Sequence, residues 1–208
     1  MTPLPSGFFL RSTVSVAQDL LGKTLIRRIG RAVTVGRIVE TEAYLSTGDP
    51  ACHAAKGKNR KNDRMFGPGG TAYVYVIHAR FCFNVVTEGV DTPAAVLIRA
   101  VEPLAGIEAM QRRRERTELT ELARGPAMLC EALAIDRTLN GWDLTSGSKL
   151  FIVDQGDSIS PDDIQTSPRI GVTAGELLPL RFYIGGNRFV SKVTQRELAA
   201  FGRRAVTS

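Results

Sequence analysis

GRIVETEAY (residues 36–44) and TAYVYVIHARFCFN (residues 71–84) read as two strands, and what they carry sets the character of the whole chain. Side chains alternate across a strand, so Glu40, Glu42 and Tyr44 share one face of the first, and Tyr73 and Tyr75 share one face of the second. Strands of this kind line a pocket. Between them Lys56, Lys58, Arg60, Lys61 and Arg64 are interspersed with Gly57, Asn59, Asn62, Gly67, Gly69 and Gly70, a cationic loop beside an acidic, aromatic face. The combination suits an enzyme that grips an anionic polymer with its cations and a flat ring with its aromatics.

Working outward, 208 residues of which 43% are hydrophobic are enough to bury a substantial core as one domain spanning residues 1–208. The formal charge of +6 favours anionic partners, although charge alone does not choose nucleic acid over another acidic surface. Cys52, Cys82 and Cys130 are odd in number and widely spaced, and read as reduced thiols. No positively charged leader precedes an apolar segment, and no apolar run is long enough to span a bilayer. The expectation is a soluble, cytoplasmic protein with no membrane partner.

The remaining pattern predicts a mixed α/β chain with local, antiparallel strands. Ser15-Val16-Ala17-Gln18 suggests a capping box for a helix over 15–21. Strands are expected over 33–39, 71–78, 81–87 and 94–101, with later pieces at 151–153, 180–184 and 189–193. Pro103 fits the first turn of a helix running into Arg112–Arg116, and a second helix is expected over 126–134. Thr194-Gln195-Arg196-Glu197 has the form of a cap for a terminal helix. The Gly/Asp/Ser/Pro-rich region 140–168 is an irregular excursion whose Leu144, Leu150, Phe151, Ile152 and Val153 pack it back on the body.

Several chemistries are disfavoured. Two histidines and scattered cysteines offer no metal-ligand spacing, so no metal or cofactor is expected. Gly67-Pro68-Gly69-Gly70-Thr71 lacks a phosphate-loop lysine and a full dinucleotide fingerprint, leaving a tight turn as its alternative. An inward-facing strand Glu is costly unless paired or put to use, but periodicity does not separate Glu40 from Glu42. Tyr44 and Tyr75 suit stacking on a planar substrate or simple core packing. His53 is either a hydrogen-bonding partner near the pocket or an ordinary surface histidine. Asn84 on an apolar strand needs hydrogen-bond partners, and Arg99, in VLIRAVEP, needs a carboxylate or a wet site.

Taken together, LLGKTLIRR, GRIVETEAY, DPACHAAKG, RNDRMF, GPGGTAYVYVI, CFNVV, VLIRAVEP, GPAMLCEALAI, RIGV and LRFYIG resemble the alkyladenine (3-methyladenine) DNA glycosylase family over most of residues 10–193. The resemblance implies a single mixed α/β domain around a curved antiparallel sheet with peripheral helices. It implies a monomer that uses no cofactor and removes alkylated or deaminated purines from double-stranded DNA. Glu42 matches the residue that activates the hydrolytic water, with Arg99 and the backbone carbonyl of Ile170 helping to place that water. Tyr44, His53 and Tyr75 match residues that stack on or touch the flipped base, and Asn84 matches a pocket asparagine that screens the base edge.

The pattern departs from the family where DNA is held open. A tyrosine that fills the gap left by the flipped nucleotide is replaced by His78, and the segment IHARFCFN is one residue shorter than the vertebrate form. His78 then fills the gap by partial stacking, or Arg80 reaches a phosphate or the groove. Met128 stands where many relatives carry a basic residue. No lysine occupies the matched catalytic position, which favours water as nucleophile and base removal without strand cleavage. Two other classes fit the residues less well: a nonenzymatic damaged-DNA-binding protein, marked by a basic face without an enclosed pocket, and a hydrolase of free nucleosides, marked by a closed pocket without a cationic track.

Overall fold

A computed structural model describes residues 1–192, so the cap expected at 194–197 and the end of the strand expected at 189–193 lie outside the described residues. Among the described residues the centre is an eight-stranded sheet. Its strands are β1 Thr24–Ile29, β2 Ala32–Tyr44, β3 Ala72–Ile77, β4 Arg80–Thr87, β5 Ala94–Ala105, β6 Leu150–Val153, β7 Ile164–Ser167 and β8 Arg181–Ile184. They run in the order β3-β4-β5-β2-β1-β6, with β8 on β2 and β7 on β8, and every one of these pairings is antiparallel.

Curvature comes from β2. Its first half pairs with β1, whereas Glu40, Thr41 and Glu42 pair with β8, so the strand leaves one neighbour for another along its length. Register shifts against β5 at Val35/Gly36, Ile38/Glu40 and Glu40/Thr41 bend it, as bulges do. At the first shift Gly36 packs directly on β5: a Cβ there would lie 2.6 Å from Val101 Cγ2, so the close approach needs glycine.

Alternation then sorts the sheet into two faces. On one, Val74, Phe83, Val85, Val96 and Ile98 join the main core with Phe9, Val16, Ala17, Leu20, Leu129 and Leu133 from the helical side of the chain. The helices are α1 Ser6–Phe9, α2 Thr13–Asp19, α3 Ile107–Arg114 and α4 Pro126–Ala132. Full burial of each such leucine or phenylalanine contributes about 1.5–3 kcal/mol, which makes this face the principal source of stability. On the other face, register aligns Tyr73, Asn84, Leu97, Glu42 and Arg181 in one row across β3, β4, β5, β2 and β8. A smaller cluster of Cys52, Ala54, Met65, Tyr73, Val86 and Ala95 closes over part of that row.

The helix expected over 15–21 starts earlier: α2 is capped by Ser12, whose Oγ accepts from Ser15 N at 3.3 Å. Pro103 belongs to β5, opposite Gly36, and α3 begins only after Gly106. Proline is tolerated there because the pairing is already interrupted by the bulge. Residues 189–192 are not a strand; Phe189 instead buries itself against Val39 and Ala100. In the glycine-rich turn, Gly70 (φ +89°) packs against the Phe9 ring and its carbonyl accepts from Leu144 N, so the turn serves packing.

Candidate active site

Glu42 is fully buried near the C-terminal end of β2. Three donors hold it: Ile170 N at 2.8 Å and Arg99 Nη1 at 3.1 Å reach Oε1, and the Tyr44 hydroxyl donates to Oε2 at 3.0 Å. Burial, followed by the negative charge of Glu42, pushes the Tyr44 hydroxyl well above its ordinary value, so it stays a donor. Arg99 falls between the paired positions where β2 and β5 lose register, and this irregularity lets one guanidinium reach both Glu42 and Glu40. Burial alone would lower its pKa, but Glu42 and then Glu40 outweigh burial and raise it.

Glu40 is equally buried, and its donors are Arg181 Nε at 2.6 Å, Arg99 Nε at 3.2 Å and Ser191 N at 2.8 Å. Burial pushes this carboxyl up, yet Arg99, Arg181 and Ser191 together hold it below its ordinary value. Two carboxylates and two guanidiniums therefore form one compensated network, which is how buried charges avoid a prohibitive desolvation cost.

Joined to Glu42 through Tyr44 is a narrow slot lined by Tyr44, His53, Met65, Tyr73, Tyr75, Asn84 and Ala95. Asn84 is buried in its wall and donates through Nδ2 to the Tyr73 carbonyl at 3.1 Å. The His53 ring stands edge-on to Tyr75 with centroids 4.5 Å apart, and His53 Nδ1 is hydrogen-bonded to the Tyr73 hydroxyl at 2.9 Å. Burial against these rings lowers the His53 pKa, which favours the neutral imidazole. Burial likewise pushes the Tyr73 and Tyr75 hydroxyls above their ordinary range. The result is an uncharged aromatic slot, one wall of which, Tyr44, is hydrogen-bonded to the Glu42 carboxylate.

His53, Tyr73 and Tyr75 also border an open groove with Arg60, Lys61, Ile77, Arg137 and Asn140. Lys56, Lys58, Arg60, Lys61 and Arg64 are all exposed in the loop that carries Arg60 and Lys61, with Lys58 and Arg64 bordering a neighbouring hollow. Asn62 fixes the loop from within, donating to the carbonyls of His53 and Gly57, each at 2.9 Å.

The site therefore brings together Glu42, Tyr44, His53, Tyr75, Asn84, Arg99 and the amide of Ile170. His78 and Arg80 stand apart from the slot. His78 and Ala79, with φ of 47° and 61°, form the tight turn between β3 and β4, and Ile77 pairs with Arg80 across it. Arg80 borders a separate hollow against α4 with Ala127, Cys130 and Glu131. Val76 and Ile77, 45% and 48% exposed, follow Tyr75 on β3, and Ile77 shares its face. Sequence reasoning passes over Ile77, Met65, Arg181, Asp49 and Arg169. The last two stand within DPACH and RIGV, and an arginine amid apolar residues is the available signal.

Residues 7–188 match the family model described as methylpurine-DNA glycosylase. The chain is 47% identical over 190 residues to a protein of Carboxydothermus hydrogenoformans, covering 91% of this chain and 98% of that one. It is 46% identical to one of Koribacter versatilis, covering 92% and 94%, and 45% identical to one of Methanoculleus marisnigri, covering 91% and 98%. All three carry the name "Putative 3-methyladenine DNA glycosylase".

Proposed function

The chain belongs to the methylpurine-DNA glycosylase family, and from that premise we propose that it hydrolyses the N-glycosidic bond of a damaged purine flipped out of duplex DNA, with Glu42 activating the water. Family membership supports glycosylase activity on alkylated purines in DNA. The observation that carries the finer reading is a fully buried carboxylate hydrogen-bonded to Tyr44, a wall of an uncharged aromatic slot that shares His53, Tyr73 and Tyr75 with a cationic groove. The aromatic pocket beside the basic face disfavours a nonenzymatic binder, and the cationic approach disfavours a nucleoside hydrolase.

A base within the duplex is out of reach, so it must be extruded at a cost of a few kcal/mol, least where damage weakens pairing. Phosphate contacts from the exposed cations and stacking against Tyr44, Tyr75 and His53 offset that cost. Asn84 presents its amide at the base edge. Water held between Glu42, Arg99 and the Ile170 carbonyl gives up a proton to Glu42 and forms a bond to C1′. The bond from C1′ to the base nitrogen breaks, its electron pair leaving with the base, while the carboxylate favours the oxocarbenium-like sugar. An N3-alkylated adenine already carries positive charge and leaves readily. Hypoxanthine is neutral and gains more from protonation.

Among the described residues no lysine lines the slot, which favours hydrolysis without strand cleavage; the enzyme acts as a monomer. The turn of His78 with the adjoining Ile77 fills the gap left in the duplex. Incubation with duplexes containing 3-methyladenine, hypoxanthine or 1,N6-ethenoadenine, scoring released base separately from nicks, tests this reading. Free base with an intact abasic strand is expected. Binding without base release, or release only from free nucleosides, would overturn it.

A further inference from the structure

One buried ion pair has no part in the chemistry described above, yet it touches the segments that carry Tyr44, His53 and Ile170. Arg169 and Asp49 are both 0% exposed in their side chains and meet through two contacts, Nη2 to Oδ1 at 2.6 Å and Nη1 to Oδ2 at 2.7 Å. Asp49 also accepts from Leu45 N at 3.0 Å and Ala51 N at 3.1 Å, and Arg169 Nη1 donates to the Ala43 carbonyl at 2.9 Å. The guanidinium lies over the Tyr44 ring, 4.6 Å from its centroid.

Each connection leads back to Glu42. The residue after Arg169 is Ile170, whose amide holds Oε1, and the ring beneath Arg169 is Tyr44, whose hydroxyl holds Oε2. Two of the three donors on Glu42 are therefore fixed by the pair, and Arg99 alone is independent of it. On its other side Asp49 starts the turn leading to His53, its carbonyl accepting from Cys52 N at 3.1 Å. The loop that carries a base contact and the segment that orients the carboxylate share one anchor.

Building on the proposed function, we propose that Arg169 and Asp49 are a positioning pair for the hydrolysis: they hold both oxygens of Glu42 in the direction required by the water and tie that orientation to the His53 loop. A planar, bidentate guanidinium suits this task because it stacks and forks at once, whereas lysine supplies the charge without either geometry. Misdirecting a catalytic group by about 1 Å can cost on the order of 100-fold in rate.

The test separates positioning from mere structural support by reading the rate constant of the bound complex apart from the fraction of enzyme that binds. With enzyme in excess over a hypoxanthine duplex, Arg169→Lys is expected to bind with unchanged stoichiometry and a Kd within about threefold of wild type, and to excise about 10–100-fold more slowly. Asp49→Asn, which keeps the shape of the acceptor, should show the same split, and it serves as the test should Arg169→Lys not fold. A wild-type rate constant in whatever fraction binds would overturn the proposal and make the pair purely structural. Loss of DNA binding by both variants would overturn it equally. The wild-type arm reports on the premise: no base release there would sink the proposed function itself, independently of these variants.

Discussion

Glu40 and Glu42 stand two residues apart on one strand, equally buried and sharing Arg99, but their surroundings assign them different work. Around Glu40 the donors are two arginines and the Ser191 amide, and none belongs to the aromatic slot. Around Glu42 one arginine is replaced by the Tyr44 hydroxyl, and Tyr44 lines the slot. The first carboxylate anchors Arg99 and β8; the second is bonded to a wall of the slot. Network position, more than burial or residue type, distinguishes an anchor from a candidate base.

Replacing both with glutamine should pull the two roles apart. Glu42→Gln keeps the shape but removes the base, and excision is expected to fall by on the order of 10³-fold while binding to a hypoxanthine duplex is retained. Single-turnover kinetics beside a binding titration check this. Glu40→Gln leaves two buried guanidiniums undercompensated, so the expected loss is mainly stability, about 3–5 kcal/mol by analogy with broken buried pairs. Urea melts measure it.

Acid sharpens the same contrast. Glu40 and Asp49 are both held below their ordinary values of 4.5 and 3.8, in each case because arginine and backbone donors outweigh burial. A depressed carboxyl binds its proton less readily in the folded chain than in the unfolded one. The stability it contributes is therefore complete above those ordinary values and is lost as pH falls through the lower folded values. Melting temperatures taken from about pH 6 down to about pH 3 should drop for wild type, and less steeply for Glu40→Gln, which no longer has that proton to take up. Parallel curves would mean that Glu40 is not the anchor described.

Smaller effects belong to the DNA-facing rim. Ile77→Ala or His78→Ala should slow excision from paired hypoxanthine by roughly tenfold and from mismatched substrates by less, since a mismatched base costs less to extrude. Equal slowing on both would argue against gap filling. Neutralising Lys56, Lys58 and Lys61 should weaken binding to damaged and undamaged duplexes alike. The slope of log K against log salt should flatten by roughly 0.9 for each phosphate that is no longer neutralised. An unchanged slope would remove these lysines from the interface.

Much of this architecture is legible in the sequence because strand alternation is local. GRIVETEAY and TAYVYVI present Glu40, Glu42, Tyr44, Tyr73 and Tyr75 at a period of two, and the structure keeps each set on a common face. What periodicity does not carry is the register shift at Glu40. That bulge places Arg99 between two carboxylates, and it depends on how β2 and β5 meet rather than on either segment alone. Sequence misplaces the cap of α2 for a local reason: Ser12 and Ser15 are both competent caps, and the helix starts at Thr13, whose buried hydroxyl is bonded to the distant Thr87 and Glu88. Asp49 and Arg169 lie 120 residues apart, so their pairing exists only in the folded chain. Family resemblance supplies the choice of Glu42 over Glu40, and the asymmetry of their donors gives that choice a physical basis.

The most direct measurement is the single-turnover rate of hypoxanthine release by Glu42→Gln and Glu40→Gln, each normalised to the fraction of folded, DNA-bound enzyme. Glu42→Gln should lose on the order of 10³-fold per bound molecule and Glu40→Gln far less, roughly tenfold or below, since it acts on the reaction only through Arg99. Equal losses in the two variants, or a Glu42→Gln enzyme that excises at near wild-type rate, would contradict the assignment of Glu42 as the base.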